Sequence, residues 1–310
     1  MRIMFMGTPE ISAIALSELI GSDNEIIAVV TGKDKPRGRG NVMTPTAVKA
    51  LALEHGIPVY TPDTLRDEAF AELLHELDPE LIAVVAYGKI LPKNVLEYPK
   101  YGCINLHVSL LPKYRGAAPM QRAVMNGESE TGVTIMYMAE GLDTGDIITS
   151  EAFPIGLEDD FETVHDRSAE IGSRLLVKTV KDIENGTATR TKQDDSLATY
   201  AAKVEKDDCK IDFTKSARVL DCIIRGVTPI PGAFAYLSGK MLKICKARPV
   251  VGVGKPGEVI AVSDKGVGSF TVACTEGALM VSGVIPEGKG RMSAGDFVRG
   301  RKIKLGDILE

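Results

Sequence analysis

Four short apolar runs limit what this chain can fold into. Residues 2–6, 25–30, 81–85 and 103–108 are rich in Ile, Val, Leu and Met, and amphipathic or turn-rich segments separate them. Runs this short and this rich in apolar residues fit strands of a parallel sheet covered on both faces. Between them Pro9 suits the first turn of a helix with Ile11, Ile14, Ala15 and Leu19 as its apolar stripe. Further helices are expected at about 46–55, 64–77 and 119–126, with a short piece ending at Glu97. Strands are expected at 57–60, 132–138 and 147–155. A long helix at about 160–184 would turn Val164, Ile171, Leu175, Leu176 and Val180 inward.

Asn185-Gly186 stops that helix, and the polar residues after it read as a linker. Beyond lie a helix at about 215–225 and five Gly-punctuated strands at 233–238, 241–248, 257–262, 269–274 and 278–285. Short strands so closely spaced suggest a small closed or partly open barrel. The expected fold is therefore α/β, a Rossmann-like, mostly parallel sheet followed by a smaller OB-like β-barrel. Its expected divisions are 1–189, a linker 190–207, and 208–310, and a length of 310 residues accommodates two domains.

Charge divides along the same line. Residues 1–202 hold 19 Lys and Arg against 30 Asp and Glu, a net −11, whereas residues 203–310 hold 18 against 12, a net +6. A basic module joined to an acidic one points to a polyanionic partner for the second. The apolar run before Gly7 is too short for a signal peptide, and nothing approaches a membrane span, so a cytoplasmic protein is expected. Cys103, Cys209, Cys222, Cys245 and Cys274 are widely spaced without Cys-x-x-Cys, and the four histidines lack metal-ligand spacing. A disulfide framework and a metal site are not expected.

The βαβ opening resembles a dinucleotide-binding start, yet only Gly7 lies in its first turn. Gly-x-Gly-x-x-Gly is absent, which argues against a nicotinamide cofactor. Residues 31–45 carry Lys33, Lys35, Arg37 and Arg39 among three glycines and read as a long, mobile, positive loop suited to phosphate contact.

Chemistry concentrates after the fourth run. Strand alternation puts Cys103, Asn105 and His107 on one face, at a strand end, where open α/β sheets keep ligands. An Asn amide is an uncharged donor for an oxygen gaining negative charge, and a histidine can hold or pass a proton. Asp143, in the acidic loop Glu140–Asp146, can orient the imidazole if that loop folds over the strand end. The set needs no Ser or Cys nucleophile and suits direct attack of an amine on a carbonyl. Each signal alone also fits a structural role: an ordinary strand pair, turn-forming Asp143 and Asp146, and a plain turn at Ser109–Pro112.

Taken together, Asn105-Leu-His107-Val-Ser109-Leu-Leu-Pro112, Arg115-Gly-Ala-Ala-Pro119 and Gly141-Leu-Asp143-Thr-Gly-Asp146 resemble the signature of the 10-formyltetrahydrofolate-using formyltransferases. Met6-Gly7-Thr8-Pro9-Glu10, Pro36-Arg37-Gly38-Arg39-Gly40 and the barrel-like end extend the resemblance to members that act on methionyl initiator tRNA. The resemblance implies the formyltransferase fold and formyl transfer from 10-formyltetrahydrofolate, as co-substrate, to the α-amino group of methionine on initiator tRNA. It implies Asn105, His107 and Asp143 as catalytic residues. Ser109, Leu110, Leu111, Pro112 and Ile90 would contact the folate, and Arg37, Arg39, Lys203, Lys206 and Lys210 the tRNA. Neither a metal nor a redox cofactor is implied, nor a membrane, and the protein is expected to be a monomer. The sequence departs from the family at Ile11, where Phe is frequent, and in lacking Trp, including at Pro229-Ile230-Pro231. Two alternatives stay open: a formyltransferase for a small amine, such as a nucleotide sugar or glycinamide ribonucleotide, and a non-catalytic RNA-binding protein on the same fold.

Overall fold

The structure is a computed structural model that describes residues 1–37 and 40–310, with Arg37 described by its backbone alone. Its chain divides into two units. The first comprises Met1–Gly116, Thr131–Phe153 and His165–Tyr200, and the second Ala117–Glu130, Pro154–Val164 and Ala201–Glu310.

Through the first part of the chain run β1 (Arg2–Gly7), α1 (Glu10–Ile20), β2 (Glu25–Val30), β3 (Lys35–Arg37), β4 (Val42–Thr44), α2 (Ala47–Glu54), β5 (Val59–Tyr60), α3 (Glu68–Leu77), β6 (Leu81–Val85), α4 (Lys93–Leu96) and β7 (Cys103–His107). There follow β8 (Arg115–Gly116), α5 (Pro119–Met125), β9 (Glu130–Tyr137), β10 (Ile147–Pro154), α6 (Phe161–Glu184) and β11 (Tyr200–Ala201). The main sheet has the order β10-β9-β7-β6-β1-β2-β5. The pairs β1–β2, β1–β6, β2–β5 and β6–β7 are parallel, and β9 joins β7 antiparallel. All four apolar runs are thus strands of one sheet, and every residue of β6 is buried, as a strand covered on both faces must be.

Alternation along β7 sorts its residues between two cores. Ile104 and Leu106 join Leu16, Leu19 and the inner residues of α6, while Cys103 lies with Met4, Met6, Val84 and Leu91 on the other side. Thr46 and Asp67 cap α2 and α3 by accepting the Lys49 and Phe70 amides, each at 3.0 Å. At the first turn a Cβ on Gly7 would come within 2.6 Å of Ser12 Cβ and 2.8 Å of the Val85 carbonyl oxygen. Glycine therefore lets α1 start against the end of β6, and Ser12 Oγ donates to that carbonyl at 2.6 Å.

The 31–45 segment differs from expectation. On its described residues β3 and β4 form an antiparallel hairpin, pairing Lys35 with Thr44, Pro36 with Met43 and the Arg37 backbone with Val42. The Asp34 carboxylate, on Lys49 Nζ at 2.9 Å, anchors its start. Glycine and charge obscured the pairing because each strand is only three residues long. Arg39, named as a tRNA contact, lies outside the described residues, as does the Arg37 side chain.

In the second unit α7 (Ala217–Gly226) precedes β12 (Ala233–Leu237), β13 (Lys240–Val250), β14 (Val259–Ser263), β15 (Ser269–Ala273), β16 (Ala278–Pro286), β17 (Met292–Ser293) and α8 (Ala294–Arg299). The antiparallel sheet runs β12-β13-β16-β15-β14, with β17 also on β16. Residues 307–310 join its two edges. Glu310 and Tyr236 exchange backbone hydrogen bonds on β12, and Val259 on β14 donates to Asp307 O at 2.8 Å. One short segment thus partners backbone on both edges, beside the Ile211 amide that donates to Phe234 O on β12 at 2.8 Å. Among the described residues no helix is long and apolar enough to cross a membrane.

Candidate active site

Asn105 and His107 project from the same face of β7, opposite Met136 and Thr134 of β9. Both are largely buried, at 9% and 6% exposure. Pairing with β6 on one side and β9 on the other fixes their backbone, so two polar side chains leave a rigid strand beside each other. The Asn105 carboxamide has no hydrogen-bond partner among the described residues.

His107 is held by one ring nitrogen and faces a carboxylate with the other. Nε2 lies 3.0 Å from the Tyr114 carbonyl oxygen, and a carbonyl only accepts, so Nε2 carries a proton. The other ring nitrogen, Nδ1, faces Asp143, whose Oδ2 is 3.7 Å away. That separation is longer than a hydrogen bond.

Asp143 arrives on the loop between β9 and β10, as the sequence led one to expect. Its backbone is left-handed, with φ 52°. Oδ2 accepts the Gly116 amide at 2.8 Å. Two residues on, a Cβ at Gly145 would collide with the Tyr137 carbonyl, so only glycine lets the loop close onto the end of β9.

The support for this loop was not read from the sequence. Gln193 Nε2 donates to the Asp143 carbonyl at 2.8 Å and the Gly145 carbonyl at 2.7 Å. Its Oε1 accepts from Arg115 Nε at 3.1 Å and from the terminal NH2 at 2.8 Å. Arg115, only 2% exposed, completes its pairing on Asp195 at 2.7 Å, and its amide donates to Thr199 O at 2.8 Å. The expected linker at 190–207 therefore supplies Gln193, Asp195 and Thr199 to the first unit. The available signal was Arg115 inside an otherwise Gly-, Ala- and Pro-rich motif, since a buried guanidinium requires partners elsewhere.

The Ser109–Pro112 turn is pinned from β9. Thr134 Oγ1 donates to Ser109 O at 2.7 Å and accepts from the Leu111 amide at 3.2 Å, while Ser109 Oγ donates to Lys113 O at 2.7 Å. Ser109 and Leu111 are buried, Leu110 and Pro112 partly so, and Ile90 is 74% exposed. Cys103, third on the β7 face, is no nucleophile. Its thiol lies 3.5 Å from Val95 O, and burial pushes its pKa up to about 12. No group of three or more His, Cys, Asp or Glu able to hold a metal occurs among the described residues.

Within the second unit Lys203, Lys206 and Lys210 are exposed. Lys206 Nζ stands 5.8 Å from the Phe234 ring centre and Lys210 Nζ 5.9 Å from that of Tyr236, and Lys203 pairs with Glu205 at 3.6 Å. Cations beside aromatic rings on a sheet are a common surface for nucleic acid.

Known proteins match this arrangement along its length. The family model described as formyl transferase matches residues 1–180, and that of the formyl transferase C-terminal domain matches 203–302. A methionyl-tRNA formyltransferase of Geotalea uraniireducens is 46% identical over 309 residues, covering 100% of this chain and 98% of the relative. One of Citrifermentans bemidjiense is 44% identical, covering 100% and 96%. Among solved structures, an N-formyltransferase from Helicobacter canadensis in complex with folinic acid and dTDP-3-aminofucose superposes with a TM-score of 0.67 at 21% identity, covering 90% of this chain and 97% of that one. HypX from Aquifex aeolicus, in complex with tetrahydrofolic acid, gives 0.66 at 18%, covering 96% and 47%. Both share the fold. On these matches and the site they enclose, the chain belongs to the formyl transferase family.

Proposed function

We propose that the protein transfers the formyl group of 10-formyltetrahydrofolate to the α-amino group of methionyl initiator tRNA, acting in the cytoplasm as a monomer. The observation that carries the reading is the meeting of an unspent Asn105 amide, His107 and Asp143 at the end of β7, in a chain whose full length matches methionyl-tRNA formyltransferases.

In this reading the amine attacks the formyl carbon, and the carbonyl oxygen gains negative charge. Asn105 donates to that oxygen. The attacking nitrogen must lose a proton, and Nδ1 of His107, beside Asp143, is assigned to take it. The imidazolium so formed is balanced by Asp143 and adds positive charge near the oxyanion. Breaking the bond to the folate nitrogen, which receives the proton, releases formylmethionyl-tRNA and tetrahydrofolate. The folate is assigned to the turn Ser109, Leu110, Leu111 and Pro112, with Ile90 offering apolar surface. The pinned turn and the exposed Ile90 support that fit.

For the tRNA, residues 1–189 are assigned as the catalytic domain, 190–207 as the connection and 208–310 as the basic tRNA-binding domain. Contacts are assigned to Arg37, Arg39, Lys203, Lys206 and Lys210. The +6 charge of residues 203–310 and the lysines beside Phe234 and Tyr236 support this. The test is a formyl-transfer assay offering initiator Met-tRNA, elongator Met-tRNA, an amino-sugar nucleotide or glycinamide ribonucleotide. Preference for the initiator tRNA is expected; equal or faster turnover of a small amine would transfer the reading to that substrate.

A further inference from the structure

Gln193 is a buried carboxamide, 6% exposed, with all its main hydrogen-bonding capacity used on one loop and one arginine. Its orientation is settled by its partners: a guanidinium only donates, so Oε1 faces Arg115, and two carbonyls only accept, so Nε2 faces Asp143 and Gly145. The neighbouring Gly116 amide takes the Asp143 carboxylate. Asp143 is thus clamped at backbone and side chain together by groups joined through Arg115.

The clamp acts where the backbone has an easier alternative. Asp143 lies in the left-handed region, which an L-residue leaves readily when nothing holds it. Relaxation would turn the carboxylate away from His107, from which it is already 3.7 Å distant. We propose that Gln193 is a positioning residue for formyl transfer, holding Asp143 in register with His107 without touching either substrate. This rests on the assignment of Asp143 as a partner of His107 in the reaction. A misplacement on the order of 1 Å in a catalytic constellation can lower the rate ~10²-fold.

The test compares Gln193→Ala, Gln193→Glu, Asp143→Ala and the double variant Gln193→Ala/Asp143→Ala. Gln193→Glu keeps an oxygen for Arg115 and removes the amide donors to the loop. For both single Gln193 variants kcat is expected to fall by about 10–100-fold, with KM for each substrate little changed and the fold retained at the assay temperature. In the Asp143→Ala background the Gln193 change should cost less than about twofold more, because its effect passes through Asp143. A full additional loss in the double variant would overturn the proposal. So would unchanged kcat in the single variants beside an impaired Asp143→Ala enzyme, which would leave the role of Asp143 standing. Unfolding of both Gln193 variants would overturn it as well, since the residue would then hold the fold and not the loop. Full activity of Asp143→Ala would instead remove the reading on which the proposal rests.

Discussion

Asn105 and His107 stand on a strand paired on both sides, whereas Asp143 stands on a loop whose shape is set by residues 27 and 50 positions away. The strand needs only its own alternation and its two ladders. The loop needs Gly145 against the Tyr137 carbonyl, the Gly116 amide and the Gln193 carboxamide at once. A site assembled from both kinds of support joins a rigid strand-borne pair to a carboxylate whose placement can be altered on its own. Mutations in the two regions should therefore differ in what they change.

The largest effect is expected on the strand. Asn105→Ala and His107→Ala should each lower kcat by ~10²–10³-fold, the usual cost of losing a group that stabilises developing charge. Affinity for tRNA, measured by filter binding, should stay nearly intact. Next comes the loop. Gly145→Ala forces a Cβ onto the Tyr137 carbonyl, so loop 140–146 must move, and kcat should drop by about 10²-fold. Because β7 keeps its ladders, the melting temperature should fall only slightly. A Gly145→Ala enzyme with normal kcat would show that the loop tolerates displacement and would erase the distinction between the regions.

Hydrogen exchange reads the same contrast without mutation. Amides of β7 should exchange only through the slowest openings, and amides of residues 140–146 faster, in the unit they share. Equal protection would mean the loop is as fixed as the strand.

Away from the site a smaller effect is expected at Asp208 in the second unit. Arg122, at 2.7 Å, holds the Asp208 carboxyl below its ordinary range, aided by the Glu205 amide. A depressed carboxyl pKa gives stability that is complete above the unfolded value and lost as pH falls through the folded one. Asp208→Asn should therefore cost stability at pH 7 and lose that cost in acid, seen by denaturant unfolding at several pH values. A constant difference across pH would assign the effect to hydrogen bonding instead of charge.

How much of this could be read beforehand follows the same division. Period-two patterns are local, so the strand placing Asn105 and His107 beside each other is legible in the six letters of 103–108, and the sheet order agrees with a mostly parallel α/β core. Asp143 was found through its motif. The Gln193 clamp was not, because a glutamine in a charged stretch carries no signal of burial until Arg115 is known to need it. The hairpin at 35–44 hid because three-residue strands lack a period. The edge pairing by residues 307–310 hid because isolated bridges leave no pattern in sequence.

The central claim is that a loop-borne carboxylate completes the strand-borne pair. It is tested most directly by single-turnover formyl transfer to initiator Met-tRNA, with both substrates saturating, in the wild type and in Asp143→Asn. The asparagine keeps an oxygen for the Gly116 amide and removes only the charge facing His107. The account predicts a rate lower by about 10²-fold with unchanged substrate affinity; rates within twofold of each other would contradict it.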